Sequence, residues 1–275
     1  MVQFGRKTRS GAMFPPPGER SKPGEVSGDR LRAIFVTGTD TGVGKTVATA
    51  ALGLALRERG VDVGVMKPIE TGAPLVEGRR VGEDAAALRR LLAPDDPIED
   101  VNPIALALPA APSAAAKQEG VTIDLDRIRE AYERLAARHD VVLVEGAGGL
   151  LVPIDAKTTM ADLALSLDAP LVVVARMRLG TINHTMLTLR EAEGRGLRVL
   201  GVVLNAWDPT GAPLSEADAH NLQTLKERLE VPVLAELPAV DIGPPLNWSA
   251  DALSPFVRSF REIFNDSSPF MFRPC

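Results

Sequence analysis

The residues that point most clearly to chemistry form a glycine-rich segment that runs from Gly38 to Thr46, Gly-Thr-Asp-Thr-Gly-Val-Gly-Lys-Thr. It follows an apolar run and precedes an amphipathic stretch, which is the strand–loop–helix context of a phosphate-binding loop. In such loops, backbone N–H groups bind phosphate oxygens, the lysine contacts the outer phosphates and the Ser/Thr hydroxyl can bind Mg²⁺. The strict pattern has a glycine where this chain has Thr39, and Gly38 stands one residue earlier. We predict an ATP or GTP site at Thr41, Gly42, Val43, Gly44, Lys45 and Thr46.

A second lysine and two acidic residues occupy positions from which their side chains could contact the same nucleotide. Lys67 follows an apolar run in the segment Lys-Pro-Ile-Glu-Thr-Gly, and Glu145 follows another, before Gly-Ala-Gly-Gly. Because ligands bind at the carboxyl ends of parallel strands, Lys67 could stabilise a transferring phosphoryl group. Glu145, with Asp84 at the start of a helix, could supply the hard oxygen ligands that Mg²⁺ prefers. Alternatively, Lys67 is a solvated lysine at the end of a strand, and Asp84 offsets the dipole of its helix.

Two further segments could bind polar groups. Gly180-Thr181-Ile182-Asn183 opens a predicted helix, whose free N–H groups favour an anion. Asn205 ends an apolar run, where its amide could pair with the edge of a base. From the residues alone, each is better explained as a helix cap or a turn residue.

Short apolar runs alternate with helical patterns from Leu31 onward. The runs are continuous rather than alternating, which is typical of parallel strands covered on both faces. They are Ala33–Val36, Val61–Met66, Val141–Val144, Leu171–Ala175, Val199–Leu204 and Val231–Leu234. The predicted helices are Thr46–Arg59, Glu83–Leu92, Asp124–Arg138, Thr158–Leu167, Ile182–Gly194 and Ser215–Leu229. This order predicts an α/β domain, a doubly wound and mostly parallel sheet with helices on both faces.

The α/β pattern covers only part of the chain, so segments on either side of it are expected. We expect a disordered tail over residues 1–30, one α/β domain over 31–250 and a C-terminal helix or tail over 251–275.

The net charge is −5, so no general nucleic-acid binding is expected, and no apolar run is long enough to span a membrane. A single cysteine makes a disulfide framework or a cysteine-ligated zinc site improbable and predicts a reducing, cytoplasmic compartment.

Taken together, these motifs resemble the dethiobiotin synthetase family over most of residues 33–240. The resemblance is carried by Gly38–Thr46, Lys67–Gly72, Val101–Gly120, Glu145–Gly149, Gly180–Leu187 and Val202–Asn205, in family order. The Gly-x-Ile-Asn-His-x-x-Leu and Lys-Pro-x-x-[Ser/Thr]-Gly pieces are more specific than the phosphate loop. The resemblance implies a domain of the P-loop NTPase type.

The resemblance also implies a reaction, with ATP and Mg²⁺ as the required cofactors. One amine of 7,8-diaminononanoate adds to CO₂, the carbamate oxygen attacks the γ-phosphate of ATP, and the second amine closes the ureido ring and expels phosphate. Such chemistry needs positioning and charge neutralisation more than an enzyme nucleophile.

The family's roles transfer to matching positions of this chain. Lys45 and the backbone of residues 41–44 would hold the phosphates, with Lys45, Lys67 and Thr41 in the catalytic centre. The other implied roles are Mg²⁺ binding by Thr46, Asp84 and Glu145, diamine binding by Thr71, adenine binding by Asn205, and binding of the distal carboxylate by Gly180, Thr181, Ile182 and Asn183. In this family the carboxylate site comes from the other subunit of a homodimer.

The chain departs from the family at three positions. Gly42 stands where Glu is frequent, Thr71 where Ser is frequent, and no tyrosine lies near residue 220, since Tyr132 is the sole tyrosine. The change to Thr71 keeps the hydroxyl. Gly42 removes the family's carboxylate and with it any role that this group has, and the missing tyrosine implies a pocket for the substrate carboxylate that is built differently.

Two other classes of protein share parts of this pattern. An ATP-driven partitioning switch would carry a signature lysine where this chain has Asp40. A ligase related to cobyrinic acid synthesis would need a glutaminase domain with a cysteine nucleophile. Neither requirement is met by this sequence.

Overall fold

The protein, represented by a computed structural model, is described here for residues 31–206, 214–260 and 263. A central sheet contains six parallel strands in the order β10-β9-β8-β1-β7-β2. Its strands are β1 (Ala33–Gly38), β2 (Val63–Met66), β7 (Val141–Gly149), β8 (Leu171–Arg176), β9 (Val199–Asn205) and β10 (Val233–Leu237). Each of the six predicted apolar runs therefore contributes a strand to one sheet, as the doubly wound fold class requires.

Two small sheets and nine α-helices complete the described part of the fold. The small sheets pair β3 (Ile69–Thr71) with β6 (Ile104–Leu106) and β4 (Leu75–Val76) with β5 (Arg79–Arg80). The helices are α1 (Lys45–Arg57), α2 (Glu83–Leu92), α3 (Ile98–Val101), α4 (Pro112–Glu119), α5 (Leu125–Ala136), α6 (Met160–Ser166), α7 (Thr181–Gly194), α8 (Glu216–Arg228) and α9 (Ala250–Ser259). A 3₁₀ turn covers Pro245–Asn247. Within these residues, no helix is long and apolar enough to cross a bilayer.

The core lies in two layers, one on each face of the sheet. One layer packs α1, α2 and α9 against the sheet, with Leu52, Leu88 and Phe256 fully buried. The other packs α4 to α8, with Ile128 and Leu225 fully buried. Helices on both faces explain why the strands are continuously apolar, because neither face of the sheet meets water.

The ends of the observed strands differ from those of the predicted runs, and the differences are largest in β7 and β10. β7 continues through Glu145 to Gly149, so Glu145 lies inside the strand rather than after it. β10 is Val233–Leu237 instead of Val231–Leu234, and it includes the exposed Glu236. β10 is the edge strand of the sheet, so one of its side chains can be charged and reach solvent, which an apolar run does not anticipate.

The terminal segments of the predicted organisation are described only in part. Residues 1–30 lie outside the described residues, as do 261, 262 and 264–275. The α/β domain was predicted to end at residue 250, which is the first residue of α9. This helix is capped by the Ser249 hydroxyl, which accepts from the Ala252 N–H at 3.2 Å, and it buries Leu253 and Phe256 against the core.

Candidate active site

The phosphate loop connects β1 to α1 at the carboxyl edge of the sheet. Gly44, the N-cap of α1, has φ 92°, and an added Cβ would lie 2.0 Å from Asn205 Nδ2. Gly42 also has a positive φ of 69°. Both conformations favour glycine, and Gly44 leaves no space for a side chain, so the loop backbone can curl tightly around a ligand. Lys45 is buried, and its Nζ donates to the Asp40 carbonyl at 3.3 Å.

A second group of side chains meets beside this loop. Lys67 Nζ lies 3.1 Å from Asp84 Oδ2 and also donates to Glu145 Oε1. The Thr46 hydroxyl donates to the same Glu145 oxygen at 3.0 Å. These residues come together because β2, β7 and β1 are neighbours in the sheet, so their carboxyl ends share one edge. The structure thus brings together Lys67, Asp84, Glu145 and Thr46, which the sequence had predicted for one site.

Burial and mutual charge shape the ionisation of this group. Burial acts to lower the pKa of Lys67, but the Glu145 and Asp84 carboxylates outweigh it and hold that pKa above its ordinary value. Burial acts to raise the pKa of Asp84, and the Lys67 ammonium outweighs it and holds that pKa below its ordinary value. Lys45 differs, because burial, together with the Lys67 charge, lowers its pKa to about 8. Lys67 is therefore neutralised by the protein itself, whereas Lys45 is a buried cation short of a counter-charge.

The donor set around Glu145 fits Mg²⁺. Glu145 is fully buried, and its Oε2 has no hydrogen-bond partner within the described residues. A buried carboxylate oxygen without a partner is costly unless a ligand completes it. The described residues contain no group of three or more His, Cys, Asp or Glu side chains that could hold a metal alone. Mg²⁺ commonly takes one or two carboxylates with phosphate oxygens and water, so two carboxylates and the Thr46 hydroxyl match its chemistry.

These elements surround a cavity of about 300 Å³. Nine residues that the sequence had assigned to the site line it: Thr41, Gly42, Gly44, Lys45, Thr46, Lys67, Thr71, Asp84 and Glu145. Val43 instead packs its side chain into the core beneath the loop. Pro245 and Trp248, from the segment that follows β10, form an apolar wall of the cavity that no motif had indicated.

Asn205 has a contact that the sequence did not predict. It is fully buried, and its Nδ2 donates to the Val43 carbonyl at 2.9 Å. This amide therefore holds the phosphate loop against β9. Its role in adenine binding remains a prediction.

The predicted carboxylate site at the start of α7 is not part of the cavity lining. Gly180 is the N-cap with φ 91°, and the Thr181 hydroxyl is buried without a hydrogen-bond partner in the described part of the chain. Asn183 is exposed on the surface. Within one chain, this segment therefore does not border the cavity beside the phosphate loop.

Sequence reasoning missed two charged residues of the site. Arg176, at the carboxyl end of β8, donates from Nη2 to the Gly42 carbonyl and so braces the phosphate loop. The rule that selects Lys67, a charged residue directly after an apolar run, would also have selected Arg176. Glu70 is buried and accepts the backbone N–H groups of Asp84 and Ala85, and burial raises its pKa to about 7. No sequence motif indicates that contact.

The fold and the loop define the class of this protein, a P-loop nucleotide-binding protein with a doubly wound parallel sheet. A family model described as an AAA domain matches residues 32–242. The ATP-dependent dethiobiotin synthetase BioD of Anaeromyxobacter dehalogenans (strain 2CP-C) is 47% identical over 198 residues, 72% of this chain and 87% of the relative. The protein of the same name from Aromatoleum aromaticum is 42% identical over 224 residues, 82% of this chain and 98% of the relative. The chain belongs to the dethiobiotin synthetase family.

A solved structure supports the fold. The septum site-determining protein MinD from Pyrococcus horikoshii OT3, complexed with Mg-ADP, aligns with a TM-score of 0.50 at 19% identity, covering 84% of this chain and 93% of that chain. At this identity the likeness concerns the fold alone. It does not support the partitioning-switch alternative, because the relatives that are similar in sequence are named dethiobiotin synthetases.

Proposed function

We propose that this protein is an ATP-dependent dethiobiotin synthetase that uses MgATP to convert 7,8-diaminononanoate and CO₂ into dethiobiotin, ADP and phosphate. One observation carries the assignment beyond family membership. The buried ammonium of Lys67 is held by Glu145 and Asp84 directly beside a phosphate loop, where charge would develop during phosphoryl transfer.

Each charged group then has a role in the reaction. Lys45 and the loop N–H groups bind the phosphates of ATP, and a buried Lys45 without a full counter-charge gains most from a polyanion. Thr46, Asp84 and Glu145 would hold the magnesium ion. When bound, Mg²⁺ supplies neutralisation of phosphate charge. Lys67 stabilises the carbamate and the transferring phosphoryl group, and Thr71 contacts the diamine.

The steps balance without an enzyme nucleophile. One amine forms a C–N bond to CO₂ and loses a proton, which gives a carbamate. A carbamate oxygen attacks the γ-phosphorus, the bond to the β-phosphate oxygen breaks, and ADP leaves. The second amine attacks the carbonyl carbon of the mixed anhydride, loses a proton and expels phosphate. The chain's contribution is therefore orientation and electrostatic stabilisation.

A single assay tests the reaction. ADP release is measured with and without diaminononanoate plus bicarbonate, and the ureido product is identified by mass spectrometry. We expect ADP release to depend on the diamine and to match product formation. ATP turnover that ignores the diamine but rises with DNA or lipid vesicles would instead support a partitioning switch.

We further propose a homodimer in which the start of α7 binds the substrate carboxylate in the partner's active site. Two observations support it: Leu179 is 85% exposed and Leu187 is 61% exposed, and the buried hydroxyl of Thr181 lacks a partner in the described part of the chain. One exposed leucine just before the start of α7 and another within α7 fit contact with a second copy of this chain, and the helix start itself favours an anion. The cytoplasm remains the expected compartment on the cysteine content.

Subunit mixing tests the shared site. Lys67→Ala and Asn183→Ala damage different halves of it, so each variant alone should be impaired, the second through weaker diamine binding. Random exchange should restore about a quarter of wild-type activity, since half of the dimers are mixed and each mixed dimer has one intact site. No recovery, in a mixture shown by mass to contain mixed dimers, would place both residues in one subunit's site.

A further inference from the structure

The helix that carries Asp84 is capped by a residue from another element. The N-cap of α2 is Gly82, which has no side chain to accept the free N–H groups of the first turn. Glu70, on β3, takes that place. Its Oε1 accepts the Asp84 N–H and its Oε2 accepts the Ala85 N–H, both at 3.0 Å. These are the two donors that a Ser or Asp at the N-cap would normally satisfy.

Gly82 is required by space rather than by backbone conformation. Its φ of −68° is open to any residue. A Cβ at this position, however, would lie 1.9 Å from Glu70 Oε2 and 2.0 Å from Glu70 Cδ. The glycine therefore lets the Glu70 carboxylate reach the helix end, and the two residues form a matched pair.

A second side chain ties the same helix start to the strand that ends at Lys67. Asn102 Oδ1 accepts the Gly82 N–H at 3.2 Å, while its Nδ2 donates to the Lys67 carbonyl at 2.8 Å. Glu70 itself stands on the short strand that follows Lys67. The Asp84 carboxylate is thus held opposite the Lys67 ammonium, at 3.1 Å, by contacts to its own backbone.

We propose that Glu70 is a positioning residue of the metal site, which fixes the first turn of α2 so that Asp84 faces the ligand space beside Lys67 and Glu145. This inference rests on the proposed function, because it takes Asp84 as a Mg²⁺ ligand. Both Glu70 carboxylate oxygens accept N–H groups of the helix backbone, so the proposed role is to orient Asp84 rather than to bind metal or phosphate. Partners of this kind set metal affinity by orienting the ligand.

The test compares Glu70→Gln with the wild-type chain. A glutamine can accept only one of the two N–H groups and turns an NH₂ toward the other. ADP is expected to raise Tm in a Mg²⁺-dependent way. In Glu70→Gln, the Mg²⁺ concentration at which half of this rise is reached should increase about 10-fold. The Mg²⁺ concentration for half-maximal activity should rise with it, while kcat at saturating Mg²⁺ stays close to the wild-type value. A loss of folding alone would not move a metal midpoint in this way.

Asp124 supplies a matched control. Its Oδ1 caps α5 by accepting both the Asp126 and the Arg127 N–H groups, at 3.0 and 3.1 Å, but α5 carries no candidate site residue. Asp124→Ala, which removes this cap, should leave both Mg²⁺ midpoints unchanged. Glu70→Asp is the second variant, since it keeps the charge but withdraws the carboxylate, and it should also raise the Mg²⁺ midpoints.

Asp84→Asn separates failure of this inference from failure of the proposed function. If Asp84→Asn raises the Mg²⁺ midpoint and both Glu70 variants stay within about twofold of the wild type, the positioning role is wrong and the metal site stands. If Asp84→Asn itself leaves the midpoint unchanged, the metal assignment and the inference are both overturned.

Discussion

The buried carboxylates beside α3 and α5 and those beside the phosphate loop are neutralised in different ways. Asp96 and Asp100 are 4% and 3% exposed, and both oxygens of each have a partner. Asp100 accepts from Arg134 at 2.8 Å and from Arg138 at 3.0 Å. Asp96 accepts from Arg138 at 3.0 Å and meets His139 Nε2 at 2.9 Å. The carboxylates of this first region are fully satisfied by the protein.

The phosphate-loop region has the same ingredients but is incomplete. Glu145 places one oxygen on Lys67 and Thr46, while its other oxygen has no hydrogen-bond partner in the described residues. Lys45 lies nearby with a lowered pKa. Buried charges that are fully paired need no further partner, whereas an open acceptor beside a poorly compensated cation marks a candidate ligand site. This difference distinguishes the self-paired carboxylates from the candidate active site.

The largest expected effect separates the two regions by activity. Lys67→Ala should lower kcat about 1000-fold, because it removes a preorganised positive charge from the transferring group. It also leaves Glu145 and Asp84 without a buried cation, so Tm should fall in the absence of Mg²⁺ and partly recover when Mg²⁺ is added. Product formation and thermal melts with and without Mg²⁺ measure both effects.

Lys226 provides the control for this change. It pairs with Glu236 at 2.5 Å on the surface, with side chains 31% and 46% exposed. Lys226→Ala should leave activity unchanged and Tm nearly so. Normal product formation by Lys67→Ala would contradict its catalytic role.

An intermediate effect comes from removing one carboxylate charge in each region. Asp100→Asn should lower the free energy of unfolding by about 1–3 kcal/mol, since it weakens satisfied hydrogen bonds, with kcat/KM unchanged. Glu145→Gln should lower kcat/KM roughly 100-fold, because metal-ion charge stabilisation is worth several kcal/mol. Urea unfolding and steady-state kinetics on both variants make the comparison. A large loss of kcat/KM in Asp100→Asn would show that the distinction between the regions is wrong.

Measured per pH unit, the smallest expected effect is the pH dependence of stability. The pKa of Lys45 falls from 10.5 to about 8 on folding, so between these values the unfolded state binds more protons than the folded state. Stability should therefore rise with pH across this window, by at most about 1.4 kcal/mol per pH unit. Bound phosphates favour the charged lysine, so nucleotide affinity should fall above pH 8. The arginines of the other region stay charged throughout.

Lys45→Met isolates this contribution. The free energy of unfolding of both chains is measured in urea from pH 8 to 10, and the difference between wild type and variant should show the slope of stability against pH. Calorimetry of Mg·ADP binding at pH 8.5 should detect proton uptake by the wild type alone. Equal pH dependence in the two chains would mean that Lys45 is not the titrating group.

Much of the fold could be predicted because its signals are local. Six continuous apolar runs became six strands of one sheet, and the glycine-rich segment became a strand–loop–helix turn. The short pair of β3 and β6 could not be predicted, since each strand has three residues and is defined only by its pairing. The strand β10 was displaced because an edge position tolerates the charge of Glu236.

The sequence by itself determined which residues were candidates for the chemistry. Glycines that admit positive φ, a lysine followed directly by a hydroxyl residue, and charged residues after apolar runs are all properties of neighbours along the chain. Only the tertiary structure decided how those residues are held. Glu70 reaches the start of α2, Asn205 turns its amide to the phosphate loop, and Arg176 braces Gly42. Each of these contacts joins segments that are distant in sequence, and strand order and packing, which no local pattern encodes, bring them within hydrogen-bond distance.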